Sequence, residues 1–354
     1  MNLSEISDFA IDVLKKLIET PSFSREEQGT LAIFENIFKE KSIDYQTIEN
    51  NIWAKNKYFS PEKPTILLNS HHDTVKPNAG YTRDPFKAEI IDGKLFGLGS
   101  NDAGGPLVSL LATFLFFYEK ENLPFNLIFA ASAEEEISGK NGVELLLTDL
   151  PKIDLAIVGE PTLMDMAIAE KGLMVLDCTA KGVAGHAARE EGKNAIYEAM
   201  NDVEWFRSFN FPKTSATLGP IKMSVTQINA GTQHNVVPDV CTFVVDVRAT
   251  VAYTLEEILA IIQKNTKCEV VPRSIRLRPS GISTDHPIVK RGLELGMKPY
   301  GSPTLSDQAL MPFTSIKIGP GDSARSHTAD EFIYVEEIKK GIEGYVGLLE
   351  GMVL

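Results

Sequence analysis

The sequence predicts an α/β protein. One domain is expected to hold a mostly parallel, helix-covered sheet with its functional residues at the C-terminal ends of the strands, and a smaller α+β sandwich is inserted in it. Three observations carry this expectation. Apolar runs around Leu67, Ile128 and Ile157 read as buried strands, and each runs directly into histidine or carboxylate residues. Segments with apolar residues at helical spacing alternate with those runs. From about Leu173 the texture changes to alternating, half-exposed strands and amphipathic helices in the order strand–helix–strand–strand–helix–strand. The predicted division is residues 1–173 with 282–354 for the larger domain and 174–281 for the insertion.

Taken in order, Leu3, Ile6, Ala10, Val13, Leu14, Leu17 and Ile18 recur at helical spacing, and Pro21 ends that helix. A second helix is expected from about Arg25 to Lys39. Strands follow near Tyr45 to Ile48 and Thr65 to Ser70. Asp92-Gly93 then marks the turn of a hairpin between Ala88–Ile91 and Lys94–Phe96. That hairpin delivers a glycine-rich loop, Gly97 to Pro106, and an apolar helix from Leu107 to Tyr118. Phe125 to Ser132 and Leu155 to Val158 are the next buried strands. In the insertion, strands are expected over Val175–Ala180, Ile221–Ile228, Cys241–Arg248 and Cys268–Val271, with helices over Asn194–Phe206 and Leu255–Lys264. A short strand at Ile316 then enters a glycine-rich loop, and a helix closes the chain from Val335 to Leu349.

Composition narrows the function. With 48 acidic against 35 basic residues, the net charge of −13 opposes binding to nucleic acid, which needs a basic surface. The three cysteines, Cys178, Cys241 and Cys268, are odd in number and far apart, so neither a disulfide framework nor a thiolate zinc site is expected. The N-terminus lacks the basic-then-apolar pattern of a signal peptide, and the apolar stretch from Leu107 to Phe117 is too short to span a bilayer. The expected location is the cytoplasm, away from membranes.

The residues at the strand ends carry the chemistry. In Asn69-Ser70-His71-His72-Asp73, strand alternation puts His71 and Asp73 on one side and His72 on the other. Imidazole is the commonest metal ligand, and a carboxylate beside it is its usual orienting partner. Glu134-Glu135-Glu136 follows the Phe125–Ser132 strand, where three adjacent carboxylates repel one another unless solvated or neutralised by a cation. Glu160 follows the third strand, and Asp102 stands at the start of the apolar helix. His327, in the last glycine-rich loop, supplies a second histidine to this acidic set. Five separate segments thus converge on a cation site.

These segments resemble, over essentially the whole chain and in the family's order, the dinuclear-zinc aminoacylase family. That family includes acetylornithine deacetylase, succinyl-diaminopimelate desuccinylase and related peptidases. The similar stretches are His71-His72-Asp73-Thr74-Val75, Gly99 to Gly105, Glu134-Glu135-Glu136, Val158-Gly159-Glu160-Pro161-Thr162 and Gly319-Pro320-Gly321 to His327. The resemblance implies a zinc-dependent active site and a ferredoxin-like lid and dimerisation domain at 174–281. Two Zn²⁺ per chain are implied, with Co²⁺ or Mn²⁺ able to substitute. His71 and Glu160 would hold one ion, Glu136 and His327 the other, and Asp102 would bridge them. Asp73 would orient His71. Glu135 would be the general base, although a one-residue slip would use Glu134 and Glu135 instead. A cis peptide after Asp102 is implied as well.

The resemblance further implies that His186, in Gly182-Val183-Ala184-Gly185-His186, stabilises the oxyanion, in several members from across a dimer. Asn235 and Arg248 match positions that hold substrate. The text departs from the family's usual pattern at Lys76, at Ala187-Ala188-Arg189-Glu190-Glu191 and at Arg325. Arg189 and Arg325 are therefore expected as additional substrate contacts; an arginine near His327 suits a second carboxylate such as a succinyl group. The implied activity is hydrolysis of an N-acyl amino acid. N-acetylornithine or N-acetylcitrulline of arginine biosynthesis comes first, an N-succinyl substrate second, and a di- or tripeptide third. The expected partners are that small molecule and a second copy of the chain.

Overall fold

Thr65–His71, Asn126–Ser132 and Leu155–Val158 are strands because their runs are apolar on both faces, and every residue in them is buried. The computed structural model describes residues 2–189 and 191–354. Met1 and Glu190, the latter within the departure after His186, lie outside the described residues. The chain divides into two compact units, one of Met1–Ile168, Gly281–Tyr300 and Ser306–Leu354, the other of Ala169–Ser280 and Gly301–Leu305.

The sheet of the first unit runs in the order Tyr45–Ile48, Asn51–Lys55, Asn126–Ser132, Thr65–His71, Leu155–Val158, Ser315–Lys317 and Met166–Glu170. Its central four strands are parallel: His71 lies opposite Ser132, Asn69 opposite Val158, and Lys317 also opposite Val158. Their C-terminal ends therefore open on one edge of the sheet. Asn51–Lys55, absent from the sequence-based expectation, pairs antiparallel with Asn126–Ser132.

Ile66 and Leu68 pack with Leu107, Leu110, Phe114 and Phe129 in the main core, together with the helices Leu3–Ile18, Gly105–Phe117 and Val335–Leu349. Gly105–Phe117 is apolar all round because every residue but Leu115 and Phe116 is buried; Phe114 is 0% exposed, and replacing it by alanine would cost about 3–5 kcal/mol. Leu67, Ile128, Ala130 and Ala156 form a separate cluster on the opposite face. Strand alternation puts Asn69 and His71 on that face with Leu67. The second helix starts at Gln28 rather than near Arg25, because Arg25 has φ 77° and its N–H donates to Glu27 Oε1 at 2.7 Å.

The second unit is an antiparallel sheet in the order Lys222–Ala230, Val240–Ala249, Gly172–Lys181 and Glu269–Pro272. Met174, Leu176, Cys178 and Ala180 alternate inward, and Cys241 joins the same core. The helices Ala195–Ser208 and Leu255–Asn265 belong to this unit, the second opened by a capping box between Thr254 and Glu257. A short ribbon pairs His186 with Val236. Among the described residues no helix is long and apolar enough to cross a membrane.

Candidate metal centre

The strand ends of the first unit bring His71, Asp102, Glu135, Glu136, Glu160 and His327 together. His71 is the last residue of its strand and is 2% exposed. Its Nε2 lies 3.3 Å from Asp102 Oδ1, 3.9 Å from Glu160 Oε1 and 4.0 Å from Glu135 Oε2. His327 Nε2 lies 3.6 Å from Asp102 Oδ2 and 3.1 Å from Glu136 Oε2. The two oxygens of Asp102 therefore face different histidines. Ligand atoms of His71, Asp102 and Glu136 fall within 4.8 Å of one another.

Local structure explains these placements. Asp102 precedes the helix Gly105–Phe117, and the peptide bond between Asp102 and Ala103 is cis. Glu134 has φ 54°, which turns the chain after the Asn126–Ser132 strand and separates the three glutamates. Glu134 points to Asn141, whose Nδ2 donates to it at 3.1 Å, and stands 4.0 Å from Arg25 Nε. Glu135 and Glu136 point into the cluster. Their backbone N–H groups donate to Asp73 Oδ1 and Oδ2 at 3.0 and 3.2 Å, and Ser24 donates to Oδ2 at 2.7 Å. The nearer partner of His71 Nδ1 is the carbonyl of Asp73 at 2.9 Å; the Asp73 carboxylate is 3.4 Å away. His72 faces the other way, between Thr30 and the Asn50 carbonyl, and burial lowers its pKa to about 4.

Electrostatics show what the cluster lacks. Burial, then the charges of neighbouring carboxylates working against His71, pushes Glu135 and Glu160 well above the usual carboxylate range. Burial also acts against ionised Asp102, but its hydrogen bond to His71 and the charges of both histidines outweigh that and hold it low. Hydrogen bonding to Glu136 lifts His327 to about 9. Four carboxylates and two imidazoles sharing a largely buried space, all nitrogen or oxygen donors, suit one or two divalent cations of the zinc type.

Two carboxylates went unnoticed in the sequence. Asp307 is 3% exposed, and its Oδ2 accepts from Asn69 Nδ2 at 2.8 Å and from the Ser132 hydroxyl at 2.5 Å. It ties together the two strands that end in His71 and Glu134–Glu136, and burial raises its pKa to about 6. Glu331, 2% exposed, accepts backbone N–H groups around Asp102. Neither carried a pattern signal, because each lies in an irregular polar stretch.

Arg325 has a partner within the first unit. The guanidinium of Arg325 donates to Glu337 through Nη1 at 2.6 Å and Nη2 at 2.9 Å, and it stacks near Phe332 and Tyr334. This bidentate pair ties Arg325 to the closing helix. His186, Arg189, Asn235 and Arg248 belong to the second unit. There His186 is exposed, with Nδ1 accepting from Ala188 N at 3.1 Å, and the Asn235 carbonyl accepts from Ala187 N at 3.0 Å. Arg189 is exposed, 3.7 Å from Glu191, while Arg248 donates through Nε and Nη2 to Asp246.

Comparison with known proteins places this geometry in a class. The model of peptidase family M20/M25/M40 matches residues 67–351, and the chain belongs to that family of amide-bond hydrolases. A [LysW]-lysine/[LysW]-ornithine hydrolase of Sulfurisphaera tokodaii is 26% identical over 360 residues, covering 99% of this chain and 96% of its own. A succinyl-diaminopimelate desuccinylase of Cereibacter sphaeroides is 29% identical over 252 residues, 66% of this chain and 65% of the relative. The crystal structure of aminopeptidase PepT from Bacillus cereus shares the fold, with TM-score 0.77 and 18% identity over 99% of this chain and 98% of that one.

Proposed function

We propose that the chain is a two-metal hydrolase of N-acyl amino acids, with N-acetylornithine or N-acetylcitrulline as leading substrates. The observation that carries the metal reading is Asp102, whose Oδ1 faces His71 and whose Oδ2 faces His327, as a bridging carboxylate requires. Members of the family typically bind two metal ions. In this reading His71 and Glu160 hold one Zn²⁺, Glu136 and His327 the other, and Co²⁺ or Mn²⁺ substitutes. Bound ions of this kind lower the pKa of a water from about 15.7 toward neutrality and polarise a carbonyl. Glu135, beside His71 but outside the proposed ligand set, takes the proton from the attacking water and returns it to the departing amine. The position of Glu134, turned to Asn141, supports this register. His186 is proposed to stabilise the oxyanion, and Asn235, Arg248 and Arg189 to hold the substrate.

The substrate class draws support from the relatives' names. Lysine, ornithine and diaminopimelate are all diamino acids, released by cutting one acyl bond. Similarity to desuccinylases favours a second reading, an N-succinyl substrate. A homodimer through 174–281 is supported by the edge strand Lys222–Ala230 and by Tyr197 and Met200, 67% and 58% exposed on a helix of the same unit. The deciding experiment is a panel of amine-release assays on N-acetyl and N-succinyl forms of ornithine, citrulline and diaminopimelate, with dipeptides as controls. Release from an N-acetyl diamino acid, with little from dipeptides, is expected. Cleavage of dipeptides alone would reject the reading.

A further inference from the structure

We propose that Glu331 is a positioning residue for the metal centre: its buried carboxylate fixes where Asp102 stands, and so how tightly the chain holds its ions. This rests on reading Asp102 and His327 as ligands.

Glu331 Oε1 accepts the backbone N–H of Asn101 at 2.8 Å and that of Asp102 at 2.9 Å, and Oε2 accepts from Gly99 N at 3.1 Å. The Glu331 carbonyl takes a fourth N–H, from Gly97, at 3.0 Å. Three amides of one loop thus converge on a single carboxylate, an anion cradle filled from within the chain. The loop needs its glycine for this: Gly99 has φ 73°, and a Cβ there would lie 2.5 Å from Thr74 Cγ2.

One of those amides is Asp102's own, so the position of its side chain follows from Glu331. Glu331 also stands four residues after His327. One side chain therefore ties the loop that bears the proposed bridge to the loop that bears its second histidine. A second latch reinforces the pairing: Asn101 and Asp322 exchange side-chain-to-backbone hydrogen bonds at 3.0 Å each.

Glutamine cannot replace this group. A carboxylate accepts all three N–H bonds, whereas an amide offers one oxygen and turns an NH₂ toward a donor. Asp330 provides the contrast. It anchors the same loop by accepting from Thr82 N, the Thr82 hydroxyl and Arg83 N, and none of these donors belongs to residues 97–102.

The test is calorimetric titration of the metal-free, full-length protein with Zn²⁺, with circular dichroism to verify folding. The wild type is expected to bind two ions. Glu331→Gln should bind them about 10–100-fold more weakly, the usual consequence of losing a partner that orients a ligand. Asp330→Asn should lose thermal stability with affinity nearly unchanged. Equal affinity in folded Glu331→Gln and wild type would overturn the inference. Should that variant fail to fold, Glu331→Asp, which keeps the charge but withdraws it by one methylene, carries the test, and wild-type affinity there would be equally fatal. A wild type that binds no zinc would instead remove the metal reading itself.

Discussion

Asp73 holds Glu135 through its backbone: the Asp73 carboxylate accepts the Glu135 N–H at 3.0 Å, and the next N–H, of Glu136, at 3.2 Å. A residue expected to orient His71 therefore also sets the turn on which the proposed base and a proposed ligand stand. Because Glu134 leaves that turn in another direction, adjacent glutamates are predicted to behave very differently. Glu135→Gln should retain two bound metals while kcat falls by about 10²–10⁴-fold. Glu134→Gln should keep kcat within about tenfold. Steady-state kinetics with metal analysis on both proteins separates them, and the opposite ranking would shift the register by one.

Asp307 lies beneath the cluster and gives an acceptor to both Asn69 and Ser132. Asp307→Ala leaves those donors buried without it, at a cost of about 1–3 kcal/mol in urea unfolding, and should lower kcat by loosening the two strand ends. Asp307→Asn presents an oxygen to the same donors and should recover most of both losses. If the asparagine variant is as inactive as the alanine one, the charge of Asp307, not its geometry, is what matters.

Removing metal should destabilise the first unit. Without cations the carboxylates of Asp102, Glu135, Glu136 and Glu160 have the two imidazoles, and Lys317 near Glu160, as counter-charge. Metal at 100 times its Kd adds about 2.7 kcal/mol of stability. Chelation is expected to lower Tm by several degrees, and added Zn²⁺ to restore it. A thermal scan insensitive to both treatments would count against the site.

A pH effect is expected far from the centre. His286 caps the helix Pro287–Glu294, its Nδ1 accepting from Ile288 N at 3.3 Å, and burial lowers its pKa below the ordinary 6.5. Only the neutral ring accepts. The sign follows: with the folded pKa below the unfolded one, the contribution is complete above about 6.5 and is lost as pH falls through the lowered folded value. Urea unfolding of wild type and His286→Ala should differ by a constant amount near pH 7.5 and converge in acid. A gap that widens below pH 6 would show that the charged ring is the favoured one.

The legible and illegible parts of the chain divide by the physics that produces them. Thr65–His71, Asn126–Ser132 and Leu155–Val158 were readable because burial on both faces forces continuous apolar runs, and their polar endings stand out against that background. Asn51–Lys55 was not, since its five residues, Asn-Ile-Trp-Ala-Lys, are too few to establish a period. Asp307 and Glu331 gave no signal because their partners, Asn69, Ser132 and the Asp102 loop, come from distant sequence, and only tertiary contact makes those carboxylates more than loop residues. The fork of Arg325 onto Glu337 is illegible for the same reason: closeness to His327 shows in the sequence, while a partner in the first turn of a later helix does not.

The order of the central strands has a consequence for how the protein is made. Leu155–Val158 and Met166–Glu170 are neighbours in sequence, yet Ser315–Lys317 lies between them in the sheet. On the ribosome, both strands emerge well before their shared partner and wait with open backbone edges while the intervening chain is synthesised. Such edges are templates for unwanted pairing. A nascent chain stalled ahead of Ser315 is thus the form most in need of a chaperone, and emergence of Ser315–Lys317 is what closes the sheet.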